Sequence, residues 1–188
     1  MNNLPLLPVG YENPTQLLDD LKRKPEEYWI KSGEKRVLNL FHLMAKRVPA
    51  YKDFLKKNRV YKDKIKTITD FRLVPTIDKN NYLRSYPREA LCWDGIFEKK
   101  RWTISTTSGS TGEPFYFPRE DLQDWQYAVT AELYLLSNFS IDKKSTLYIV
   151  GFPMGGWIGG LFTYQALKLL SKRGNYNISV ITPGILRD

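Results

Sequence analysis

Thr106-Thr107-Ser108-Gly109-Ser110-Thr111-Gly112-Glu113-Pro114 is the stretch on which the reading of this chain turns. Its first seven residues are all small or hydroxylated. Residues 101–106 before it have strand character, and Phe115-Tyr116-Phe117 after it form a second short aromatic strand. The stretch is therefore expected to be the loop of a hairpin-like unit. With so little side-chain bulk, its backbone N–H groups can approach a ligand closely. The hydroxyls of Thr107, Ser108, Ser110 and Thr111 add further donors. Converging neutral donors suit an anion, above all a phosphate. The spacing is not that of a Walker loop, which needs a Gly-Lys-Ser/Thr end. An ordinary polar turn is the plain alternative, because glycine and hydroxyl residues are common turn formers.

Downstream of the loop, a helix is expected over residues 120–137. Its apolar face would carry Leu122, Trp125, Val129, Leu133 and Leu136. Residues 146–150 and 178–182 read as buried strands. Between them lie a glycine-rich loop at 151–160 and a helix at 161–171. Strand, helix, strand, helix, strand is the signature of an α/β layer with parallel strands.

Upstream the pattern is helical. Asn13-Pro14 can cap and open a helix to about residue 24. Pro25 permits a short turn containing Tyr28 and Trp29, and Ser32 is placed to cap a longer helix. That helix carries Val37, Leu38, Phe41, Met44, Ala45 and Val48 at three- and four-residue steps. Pro49 restarts it through Tyr51, Phe54 and Leu55. Residues 61–76 read as a connector with a helical turn near Thr69-Asp70-Phe71, and Asp78 can cap a helix over 79–85. The expected fold class is α/β. A mainly helical region at 1–100 precedes an incomplete α/β subdomain at 101–188.

The chain has 188 residues, enough for one domain with a core and a small appendage. Its net charge of +9 sits entirely in residues 1–101, which hold 22 Lys/Arg against 13 Asp/Glu. Charges at helical spacing make solvated faces, and the same excess can attract an anionic cofactor, nucleic acid or membrane. The single cysteine, Cys92, excludes an intrachain disulfide and points to a reducing cytoplasm. His42 is the only histidine and has no companion ligand in sequence, so no metal site is expected.

Residues 107–114 resemble the Ser/Thr/Gly-rich phosphate-binding loop of the adenylate-forming superfamily, the AMP-dependent acyl-CoA synthetases and ligases. Within it the chain is most similar to the phenylacetate–CoA ligase group. The likeness is carried by Ala45-Lys46-Arg47-Val48-Pro49-Ala50-Tyr51, then by Val74-Pro75-Thr76-Ile77-Asp78-Lys79 with Tyr86-Pro87. The loop itself follows, and then Gly155-Gly156-Trp157-Ile158-Gly159-Gly160. The resemblance implies that Thr107, Ser108, Gly109, Ser110, Thr111 and Gly112 hold the β- and γ-phosphates of ATP, bound with Mg2+. A carboxylate attacks the α-phosphorus, pyrophosphate leaves, and coenzyme A or another thiol then displaces AMP. Catalytic residues are expected beyond Asp188, which makes the chain the N-terminal portion of a longer ligase. Phe152, Met154 and Trp157 are candidates by position for part of the acyl pocket, with the hydrophobic core as the alternative. The group often has Lys where this chain has Glu113, a departure that puts a carboxylate near the phosphates. Neither nucleic acid nor membrane is implied as a partner.

Two other function classes compete. Residues 145–167 form a charge-free run of 23 residues, long enough to span a bilayer and containing Gly155-x-x-x-Gly159 and Gly156-x-x-x-Gly160. Pro153 and five glycines within it favour strand–loop–helix instead. A basic nucleic-acid-binding module is the third reading, from the charge excess with interleaved Tyr28, Trp29, Tyr51, Tyr61, Tyr82 and Trp93. It lacks a recognised motif.

Overall fold

A computed structural model describes residues 11–98, 101–109, 113–174 and 176–183. It is a mixed α/β structure that divides into two compact units, residues 24–100 and residues 1–23 with 101–188.

The helical unit is organised by its prolines. Pro25 is extended, with φ −68 and ψ 157, and helix α2 (Glu26–Arg47) starts directly after it. Glu26 and Glu27 in the first turn and Lys46 and Arg47 in the last complement the helix dipole. The break expected at Ser32 is absent. Gly33 meets nothing within 4 Å of where a Cβ would stand, so it costs helix propensity but forces no bend. Val48 leaves the helical region and Pro49 occupies the first turn of α3 (Pro49–Lys57). A proline there lacks only an N–H that would be orphaned anyway. Phe41, Ala45, Val48, Tyr51, Phe54, Leu55, Ile65 and Tyr82 form the core of this unit. Its rings meet edge to face, as in Phe41–Phe71 at 5.7 Å and Phe54–Tyr82 at 5.5 Å. The connector holds a short helix α4 (Ile68–Phe71), capped by a Thr67–Asp70 box. The helix expected over 79–85 is a single π turn, Lys79–Leu83, with Asp78 as cap and Asn81 bonding back to it. His42 lies against Phe41 at 5.1 Å, and Cys92 is half-buried.

The second unit contains the α/β elements and one helix from upstream. Helix α1 (Pro14–Arg23) packs on α5 (Asp121–Phe139) and buries Leu17, so it belongs here rather than with the helical region assigned to residues 1–100. Strands β1 (Thr103–Thr106) and β2 (Tyr116–Arg119) pair antiparallel, Thr103 opposite Arg119 and Thr106 opposite Tyr116. This is the expected hairpin. Strands β3 (Thr146–Ile149) and β4 (Ile178–Ile181) pair in parallel around helix α6 (Ile158–Arg173). Ala128, Leu135, Ile141, Val150, Ala166, Leu167 and Leu170 make the core. Full burial of such a side chain contributes roughly 1.5–3 kcal/mol.

Two expectations are corrected here, and a third is met. β3 and β4 are not buried on both faces. Tyr148, Ile178 and Val180 face the core, whereas Leu147 and Ile149 are 62% and 59% exposed. A two-residue period and helices on one side of the pair produce that alternation. The buried face of α5 is also rotated from the expected one. Asp124, Ala128, Val129, Glu132 and Leu135 are buried, whereas Leu122, Trp125, Leu133 and Leu136 are only half-buried. Two carboxylates displaced the apolar stripe because each meets an arginine inside the unit. Residues 145–167 are strand, loop and helix, as their proline and glycines led us to expect, rather than one span. Among the described residues, no helix is long and apolar enough to cross a membrane.

Candidate functional site

The hydroxyl-rich loop leaves β1 at Thr107 and returns at Phe115. The Thr107 amide donates to the Phe115 carbonyl at 3.1 Å, and the Phe115 amide donates to Thr107 Oγ1 at 3.1 Å. These two bonds close the base of the loop. Within it Gly109 has φ +70, the left-handed conformation that glycine adopts without a Cβ penalty. Ser108 and Glu113 are exposed. Ser110, Thr111 and Gly112 lie outside the described residues.

A second glycine-rich segment reaches the base of this loop. The Thr106 amide donates to the Gly156 carbonyl at 2.6 Å, and Thr106 forms a parallel bridge with Trp157. Trp157 is also the N-cap of α6. Residues 151–157 are folded tightly onto the start of that helix. A Cβ on Gly160 would stand 2.3 Å from the Pro153 carbonyl oxygen. The base of the loop at Thr106 and the glycine segment at 151–157 are thus adjacent, a pairing that their separation in sequence does not announce.

The candidate acyl-pocket residues differ in burial. Met154 packs against the α/β core, and its Sδ would be 3.0 Å from a Cβ on Gly160. Phe152 and Trp157 are exposed, with Phe152 lying over Gly159.

Beneath the hairpin sits a polar cluster that sequence reasoning missed. Arg119, at the end of β2, is buried. Its Nε donates to Asp124 Oδ1 at 3.1 Å and its Nη2 to Gln165 Oε1 at 2.9 Å, and its Nη1 donates to the Ser105 hydroxyl. The guanidinium lies over the Phe162 ring at 4.4 Å. Burial pushes the Asp124 carboxyl above its usual range, and Arg119 pulls against that rise. A second buried carboxylate, Glu132, accepts from Arg173 Nε at 2.9 Å and from the Tyr176 hydroxyl at 2.7 Å. Desolvation and this bond push the Tyr176 phenol well up. The only sequence signal for either cluster is a charge at an apolar position of a helical stripe.

Between α5, α6 and β3 lies a cleft of about 360 Å³, lined by Tyr127, Tyr134, Tyr148, Thr163 and Ala166 among others. The Tyr127 and Thr163 hydroxyls are 3.2 Å apart at its wall. Among the described residues, no group of three or more His, Cys, Asp or Glu side chains could hold a metal ion. Ser108 and Gly109, with little side-chain bulk and neutral donors, fit the approach of a phosphate. No protein-family model matches the chain, and no curated protein matches it.

Proposed function

We propose that this chain provides the triphosphate-binding loop of an AMP-forming carboxylate–thiol ligase. The observation that carries the reading is the bond from the Thr106 amide to Gly156, which sets the hydroxyl-rich loop beside the glycine segment before α6. Backbone N–H groups of residues 108–112 and the hydroxyls of Thr107, Ser108, Ser110 and Thr111 would donate to the β- and γ-phosphates and spread their charge. Held there, the α-phosphorus can meet the attacking carboxylate in line, with pyrophosphate as the leaving group. Formation of the acyl-adenylate makes one P–O bond and breaks the bond to pyrophosphate. A thiol such as coenzyme A then takes the acyl group and releases AMP.

The test is a titration of the purified protein with inorganic tripolyphosphate and with ATP plus Mg2+, read by amide resonances. The Thr107, Ser108 and Gly109 signals should move and saturate. Gly109→Val forces a β-branched residue into φ +70 and should weaken binding by about tenfold or more, with little loss of thermal stability. Equal affinity in the native protein and in Gly109→Val would show that the loop is not a phosphate cradle.

A further inference from the structure

Arg119 joins four elements of the α/β unit. It belongs to β2, and its guanidinium bonds Ser105 on β1, Asp124 on α5 and Gln165 on α6. The fourth contact is the face of Phe162, also on α6. Ser105 is fully buried and lies two residues before the loop opens at Thr107. Between them sits Thr106, whose amide holds Gly156. A planar, permanently charged fork with several donors in fixed directions can satisfy three acceptors at once, which a lysine ammonium on a flexible stem does less well.

We infer that Arg119 is the positioning residue of the loop base at Thr106 and Thr107. By clamping β1 to α6 it fixes how far the loop base stands from the glycine segment at 151–157. Its functional meaning rests on the phosphate-loop reading above, but the clamp is measurable without any ligand. Arg119 is buried, and each of its three nitrogens already donates to a side chain of the unit, Nε to Asp124, Nη1 to Ser105 and Nη2 to Gln165. Its contribution is therefore geometric. A buried ion pair of this kind is a weak source of stability, because desolvating both charges offsets their attraction. Replacing both partners with apolar residues can then leave the fold standing while the clamp is gone.

The experiment compares the native protein with Arg119→Met/Asp124→Leu and with Arg119→Lys. The double variant removes both charges together, so no carboxylate is left buried alone. Three readouts are taken: thermal midpoint, amide hydrogen exchange, and affinity for inorganic tripolyphosphate. The expected result is a midpoint near the native one in the double variant. Exchange at Thr106 and Thr107 should be faster by about tenfold or more, while core amides of α5 and α6 keep their protection. Tripolyphosphate affinity should fall by a similar factor. Arg119→Lys keeps a charge for Asp124 but cannot reproduce the three-way fork, and it should show the same selective loss at Thr106.

Unchanged Thr106 protection in either folded variant would overturn the inference. So would a loss spread evenly over the α5 and α6 core amides, which marks a merely structural arginine. If the double variant does not fold, Arg119→Lys decides on the same criterion. If the native protein shows no response to tripolyphosphate, the phosphate reading fails, and the exchange data still decide whether Arg119 clamps the loop.

Discussion

Gly159 and Gly160 are neighbours in the first turn of α6, and the same substitution should push them in opposite directions. A Cβ on Gly160 would lie 2.3 Å from the main-chain carbonyl oxygen of Pro153 and 3.0 Å from Met154 Sδ. The atoms nearest a Cβ on Gly159 would be those of the Phe152 side chain, none closer than 3.5 Å. Alanine is favoured over glycine in a helix by roughly 0.5–1 kcal/mol. At Gly159 nothing opposes that gain, so Gly159→Ala should stabilise the α/β unit by up to about 1 kcal/mol. At Gly160 the Pro153 oxygen must retreat from 2.3 Å to at least 3.0 Å, and it is backbone rather than the end of a flexible side chain. Overpacking that displaces backbone costs roughly 1–3 kcal/mol, which leaves Gly160→Ala destabilising by about 1–2 kcal/mol net. Urea unfolding followed by circular dichroism would show the two midpoints shifted to opposite sides of the native one. A Gly160→Ala midpoint at or above native would refute the tight packing of residues 151–157 on α6, and with it the placement of that segment beside the loop.

Arg59 follows α3 with φ +56, and its amide bonds the Lys56 carbonyl while the Val60 amide bonds that of Leu55. That is a Schellman ending with a non-glycine residue in the left-handed position, so Arg59→Gly should raise the stability of the helical unit by about 0.5–1 kcal/mol in thermal unfolding. Acid titration should separate three aspartates around their ordinary value of 3.8. Hydrogen bonds from Lys57 and Tyr86 hold Asp53 below it, and those from Lys66 and Thr67 hold Asp70 below it. The stability they add is complete above 3.8 and is lost as pH falls through their folded values. Burial holds Asp124 above it, so its contribution is complete below 3.8 and lost as pH rises through its folded value. Carboxyl chemical shifts followed from pH 2 to 7 would test this order, and an Asp124 midpoint below those of Asp53 and Asp70 would contradict the burial argument.

What the sequence determined by itself is local. Pro14, Pro25 and Pro49 start helices because a proline's fixed φ and missing N–H are harmless only in a first turn or just before one. Asp78 caps the turn that follows it because its side chain can reach the Asn80 and Asn81 amides. Aromatic and β-branched residues on either side of a small-residue run are enough to mark the β1–β2 hairpin. The loop at Ser108 and Gly109 was likewise legible only as donor chemistry, since nothing local says what approaches it.

The rest required distant parts of the chain to meet. Asp124 and Glu132 break the apolar stripe of α5, and their burial makes sense only once Arg119 and Arg173 are known to reach them. Ser32-Gly33 looked like a helix start, yet tertiary packing of the residues beyond it, from Phe41 to Ala45, carries one helix through. α1 precedes the helical unit in sequence but packs on α5, because Leu17 buries itself there. Thr106 and Gly156 are fifty residues apart, and no periodicity within either segment encodes their bond. Local propensities fix elements one turn at a time, whereas the placement of one loop beside another depends on which buried groups find partners across the whole unit.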